Sequence, residues 1–121
     1  MNRRIRRAAV LAAMLALAST AQAQDYPSKP IRLIIPAVSG ALEIMGRAVT
    51  QKMTEPLGQP IVVETRPGAN GMIGSDSVAK SAPDGYTILL ATSSTHASAP
   101  YSFKNMPYDP VKDFTPIAPG V

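Results

Sequence analysis

The sequence has no cysteine, no tryptophan and a single histidine, His96. Without thiols there is no disulfide framework, no thiolate nucleophile and no thiolate metal site. One imidazole is too few donors for a structural zinc site. Closely paired carboxylates suited to acid–base work are also lacking. Asp109 and Asp113 stand in a Pro-rich stretch and read as turn or cap residues. The glycines never form G-x-G-x-x-G, and no Lys follows a glycine loop as a P-loop requires, so the signature of a nucleotide site is missing. Ser94 lies two places before His96, which raises a hydrolase reading, but no G-x-S-x-G elbow supports it.

Acidic residues are absent from the first 23 positions, where Arg3, Arg4, Arg6 and Arg7 form a cationic head. Ala8 to Ala18 follows as an apolar run, and Ala21-Gln22-Ala23 supplies a small-x-small cleavage pattern. That is the three-part layout of a secretory signal peptide, with cleavage expected after Ala23. The run is too short for a bilayer, which takes roughly twenty residues. A membrane anchor or an amphipathic surface helix is the alternative, and no polar residue interrupts the run to make a second face. The paired arginines leave the twin-arginine route open beside the general secretory route. Residues 1–23 are thus expected to be a leader and 24–121 a periplasmic part that is not membrane-embedded after processing. Twelve basic residues less the four in the leader leave eight, against eight acids. The net charge of +4 belongs to the leader, and nothing in it argues for a nucleic-acid partner.

All twelve prolines fall after the leader, so elements there should be short and sharply bounded. Ile31 to Ile35 is a compact apolar run closed by Pro36, as in a buried strand of a parallel sheet. Ala41 to Leu57 reads as an amphipathic helix with Leu42, Met45, Val49 and Met53 as its apolar stripe, ended by Pro56 and Gly58. Ile61 to Val63 predicts a second strand, Ile73 to Ser81 a short helix, and Tyr86 to Thr92 a third strand. Beyond Pro100 no period is visible. Strand and helix alternate as in β-α-β units on a parallel sheet, an α/β fold. Ligands bind such sheets beyond the carboxyl ends of the strands. Ala37 to Leu42, Arg66 to Gly74 and Thr92 to His96 qualify by position.

The first two of these segments are glycine-containing loops that lead into helices. A helix start leaves backbone N–H groups unpaired and carries partial positive charge, so it can hold a carboxylate without a cationic side chain. Asn70 is the non-glycine residue that best tolerates a left-handed backbone. Ser39 and Ser75 could cap helices or donate to a ligand, and Ser93, Ser94 and Thr95 add neutral hydroxyls. Turn chemistry and capping are the plain alternatives for every one of these. The residues alone reach an exported α/β domain with a possible anion crevice.

Longer stretches carry a resemblance. Tyr26-Pro27-Ser28-Lys29-Pro30-Ile31-Arg32, Arg66-Pro67-Gly68-Ala69-Asn70-Gly71-Met72-Ile73-Gly74 and, most strongly, Val78-Ala79-Lys80-Ser81-Ala82-Pro83-Asp84-Gly85-Tyr86-Thr87-Ile88-Leu89-Leu90 are similar to the substrate-binding proteins of tripartite tricarboxylate transporters, the Bug family. Pro107-Tyr108-Asp109-Pro110-Val111-Lys112-Asp113-Phe114-Thr115-Pro116-Ile117 continues the likeness.

The resemblance implies a type II periplasmic binding protein-like fold. The chain would be a partial N-terminal lobe, with a parallel-sheet core and flanking helices. It implies a small organic carboxylate as ligand, a membrane permease as partner of the full-length protein, no cofactor and no catalysis. By that likeness Ser39, Gly40 and Ala41 form one jaw of a carboxylate pincer, Gly71, Met72, Ile73 and Gly74 the second, and Ser93, Ser94, Thr95 and His96 the floor. The chain departs from the family pattern at Pro36 to Glu43, one residue and one glycine shorter, and at Ala99-Pro100, where Asn-Pro is common. Family members are far longer, so the expectation is a truncated, functionally impaired binding protein. An exported interaction module without solute binding is the alternative.

Overall fold

A computed structural model describes residues 25–38 and 40–119. The expected leader lies outside the described residues. Three strands, β1 (Ile31–Ile35), β2 (Ile61–Thr65) and β3 (Thr87–Leu89), form one parallel sheet in the order β2-β1-β3. Helix α1 (Ala41–Leu57) joins β1 to β2, and α2 (Met72–Ala79) joins β2 to β3. A π-helical turn, Ser94–Ser98, runs into the short α3 (Ala99–Ser102). The α/β reading with a parallel sheet and flanking helices holds.

The central strand carries the core. Ile31, Leu33, Ile34 and Ile35 are all nearly inaccessible to water, and burying each contributes roughly 1.5–3 kcal/mol. Alternation along a strand sends Ile31, Leu33 and Ile35 to one face and Arg32 and Ile34 to the other. Helix α1 packs on β1 and β2, while α2 packs on β1 and β3. The right-handed crossover rule puts the two helices on opposite faces. Arg32 sits on the face opposite to Leu33 and answers its own charge across the sheet. Its Nε and Nη2 donate to Glu64 at 2.7 and 2.9 Å, and Arg66 Nη2 adds a third bond at 3.2 Å.

Three expectations need correction. The apolar stripe of α1 is rotated: its buried positions are Gly46 and Thr50, while Val49 and Met53 stay 49% and 37% exposed. The cause is Gly46, where a Cβ would lie 2.8 Å from Ile35 Cδ1. The helix comes closest to the sheet where it has no side chain. Strand β2 runs two residues past Val63, because Glu64 pairs in register with Ile34 and is held by Arg32. Strand β3 is shorter than Tyr86 to Thr92, although its flanks still bond to β1, through Arg32 N to Tyr86 O and Leu90 N to Ile34 O.

The residues before β1 are strapped to the turn before β3. Tyr26 Oη donates to Gly85 O at 2.8 Å, and Ser28 N donates to Tyr86 Oη at 2.8 Å. Lys29 Nζ lies 4.2 Å from the Tyr86 ring centre and 3.3 Å from Asp84. Beyond α3, Asp109 Oδ1 accepts from the N–H groups of Val111 and Lys112, and Asp113 Oδ2 accepts from Asp109 N. Both acids are thus turn residues, as their neighbours in the sequence suggest.

Candidate functional site

The three loops that leave the carboxyl ends of β1, β2 and β3 surround one depression of about 470 Å³. Pro36, Ala37, Val38 and Leu42 come from the first loop and the start of α1. Pro67, Gly68, Asn70 and Gly71 come from the second, and Thr92, Ser93 and Ser94 from the third. None of these side chains is charged. Val38, Pro67, Gly68, Asn70, Ser93 and Ser94 are exposed, so the described residues form an open wall rather than a closed chamber.

Local backbone chemistry explains the second loop. Asn70 is left-handed at φ 54°, ψ 36°, so the short 3₁₀ turn Ala69–Gly71 can reverse into α2. Gly71 follows at φ 86°, and a Cβ there would lie 2.6 Å from Thr95 Cγ2 and 2.7 Å from Pro36 O. A Cβ on Gly74 would lie 2.7 Å from Arg66 O and 3.0 Å from Pro36. These two glycines bring the loop against Pro36 rather than against open space. No side chain among the described residues caps α1 or α2 at its opening. At α2 the Gly71 and Met72 N–H groups are taken by Gly68 O and Ala69 O, so only the opening of α1 leaves its first N–H groups to solvent or to a bound acceptor.

The expected site residues divide into three groups. Gly71, Ser93 and Ser94 line the depression, and Gly40 and Ala41 are exposed at the opening of α1 beside Leu42. Ile73 is 57% exposed and leans on Gly68, with Met72 half-buried next to it. Gly74, Thr95 and His96 are turned elsewhere: Gly74 is buried under Pro36, and Thr95 is fully buried. His96 faces the other side of its turn, with its ring 4.8 Å from Phe114 and 6.2 Å from Tyr108. Burial there holds its pKa below the usual imidazole range. Ser39 lies outside the described residues. Ser75 is fully buried in α2 with no hydrogen-bond partner for Oγ and does not line the depression.

Asn70, Pro36, Val38, Leu42, Pro67 and Thr92 join the wall without having been singled out as site residues. For Asn70 the signal was present, a left-handed-tolerant residue inside a glycine loop. Val38, Leu42 and Pro67 were marked only by lying inside the strand-end segments, and Pro36 by nothing in the sequence.

A larger hollow of about 860 Å³ lies behind the π-helical turn, between His96, Tyr101, Tyr108 and Val111. Asp109 and Asp113 also line it. The Asp109 carboxyl is held below its usual pKa, first by the Val111 and Lys112 N–H groups. A hollow flanked by two carboxylates repels an anion, whereas the neutral depression at the strand ends does not.

The family profile described as "Tripartite tricarboxylate transporter family receptor" matches residues 45–121, more than half of the chain. The chain belongs to this receptor family. Among family relatives, Protein BugT of Bordetella pertussis is 38% identical over 111 residues, which is 90% of this chain and 34% of BugT. The solved periplasmic binding protein BugD superposes with a TM-score of 0.71 at 38% identity, over 76% of this chain and 31% of its own. MatC of Rhodopseudomonas palustris, solved with bound malate, superposes with a TM-score of 0.72 at 36% identity, over 75% of this chain and 31% of MatC. The chain spans about a third of the length of the curated relatives it matches. Family members of this kind are binding proteins of transport systems rather than enzymes.

Proposed function

We propose that this chain supplies the N-terminal wall of a carboxylate-binding site in the extracytoplasmic component of a tripartite tricarboxylate-type uptake system. The observation that carries the reading is the neutral depression where all three strand-end loops meet. Backbone N–H groups at the opening of α1, with the hydroxyls of Ser93 and Ser94, would hold one carboxylate of the ligand. Gly40 and Ala41, with Ser39 by its place in the chain, would form one jaw through backbone and shape, and Gly71, Met72 and Ile73 the second. Residues 1–23 would serve as the export leader, cleaved after Ala23, and deliver residues 24–121 to the periplasm. Loaded receptor would then dock on a membrane permease.

Taken alone, the described wall binds weakly. A pre-formed small-molecule site buries roughly 70–90% of its ligand. A depression with most of its lining exposed covers one side only. The reading therefore includes impaired binding by the 121-residue chain relative to a full-length family member.

The test is a titration of the ¹⁵N-labelled chain with malate, followed by NMR. Shifts confined to Gly40–Leu42, Gly68–Met72 and Ser93–Ser94, with a millimolar-range midpoint, support the proposal. Shifts at Asp109–Asp113 instead, or none at all, would remove it in favour of an interaction module that binds no solute.

A further inference from the structure

Thr95 is fully buried at the third loop, and its bonds reach Thr92, His96 and Tyr108. Its Oγ1 lies 3.0 Å from Thr92 O. The same oxygen receives Thr92 N–H at 3.2 Å and lies 2.9 Å from His96 Nδ1. Its amide donates to Thr92 Oγ1 at 3.3 Å, and its carbonyl accepts the Tyr108 hydroxyl at 2.8 Å. On the remaining side its methyl fills the space that a Cβ on Gly71 would need, next to the Pro36 carbonyl.

We propose that Thr95 is a positioning residue whose fully used hydroxyl fixes the aim of Ser93 and Ser94 at the depression. This rests on the carboxylate reading for its function, though not for its geometry. A hydroxyl has one proton to give and two lone pairs to offer. Around Thr95 Oγ1 stand Thr92 O, Thr92 N–H, Thr92 Oγ1 at 3.2 Å and His96 Nδ1, so each of its capacities has a partner within reach. The His96 tautomer sets whether its proton goes to Thr92 O or to Nδ1. Thr92 and Thr95 are thereby clamped to one another, with Ser93 and Ser94 held as the two residues between them. The ring of His96 is wedged in turn by Tyr108 and Phe114. The residues after α3 thus set the geometry of a wall they do not line.

The chain has one histidine, so imidazole ¹⁵N shifts read the Thr95 contact without assignment work. In Thr95→Val, which keeps the shape, the Nδ1 shift should move away from that of the parent. Thr95→Ser should leave it near the parent value. For malate, Thr95→Val should weaken binding about tenfold, the loss of one or two hydrogen bonds' worth of order, and Thr95→Ser by no more than about threefold. An Nδ1 shift that is the same in the parent and in Thr95→Val overturns the proposal. So does a Thr95→Val variant that loses thermal stability while binding malate normally, or equal losses in both variants. If Thr95→Val moves the Nδ1 shift and the parent chain binds no malate, the carboxylate reading fails. The clamp then stands or falls on whether Thr95→Val broadens the Ser93 and Ser94 amide signals.

Discussion

The two ends of this small sheet are built by different means. At the carboxyl end, Pro36, Gly71, Gly74 and Thr95 meet by close backbone approach, without a charge among them. At the amino end, Tyr26, Lys29, Asp84 and Tyr86 close a clasp of exposed side chains. A knot of backbone and buried threonine has no room to adjust, whereas an exposed clasp can exchange each contact for water. The stiff end holds the depression proposed as the ligand wall, and the compliant end ties the chain entry to the sheet.

Substitutions should expose that contrast in order of size. Gly71→Ala combines a positive φ with contacts at 2.6 and 2.7 Å, and should cost about 3 kcal/mol, measured by urea unfolding. Glu64→Gln, between the two ends, removes the partner of Arg32 and Arg66 and should cost about 0.5–1 kcal/mol, since both arginines remain partly in water. Its pH dependence has a definite sign. The Arg32 hydrogen bond is the main cause that lowers the Glu64 pKa from 4.5 to about 2. The stabilisation is therefore complete above about pH 4.5 and is lost as pH falls toward 2. The difference between parent and Glu64→Gln should vanish across that window. Tyr26→Phe deletes one exposed hydrogen bond at the clasp and should cost about 0.5 kcal/mol or less. A Tyr26→Phe effect as large as that of Gly71→Ala would reverse the comparison.

How much was legible in the sequence follows from which forces are local. The bounds of β1 and α1 were readable because a β-branched run meets Pro36 and a long helical segment meets Gly58. The rotation of α1 was hidden, since apolar periodicity assigns no burial to a glycine such as Gly46. The length of β2 was hidden too, because Glu64 looks like a strand end until Arg32 stands beside it. At the site, the three segments were found by position alone, from the rule that places ligands beyond strand ends. Which of their residues face the depression was not legible. A run of serine and threonine has no period, so nothing marked Thr95 as buried and Ser94 as exposed. His96 turned away because Tyr108 and Phe114, well downstream, offer it an aromatic nest.

The middle strand of the sheet is the first to be synthesised. Ile31–Ile35 takes β2 on one edge and β3 on the other, so its second neighbour, Thr87–Leu89, is made only after both helices. A nascent chain leaving the ribosome carries that greasy pentapeptide with one flank bare throughout the interval. An apolar stretch left open in this way is the part of an unfinished polypeptide most prone to aggregate.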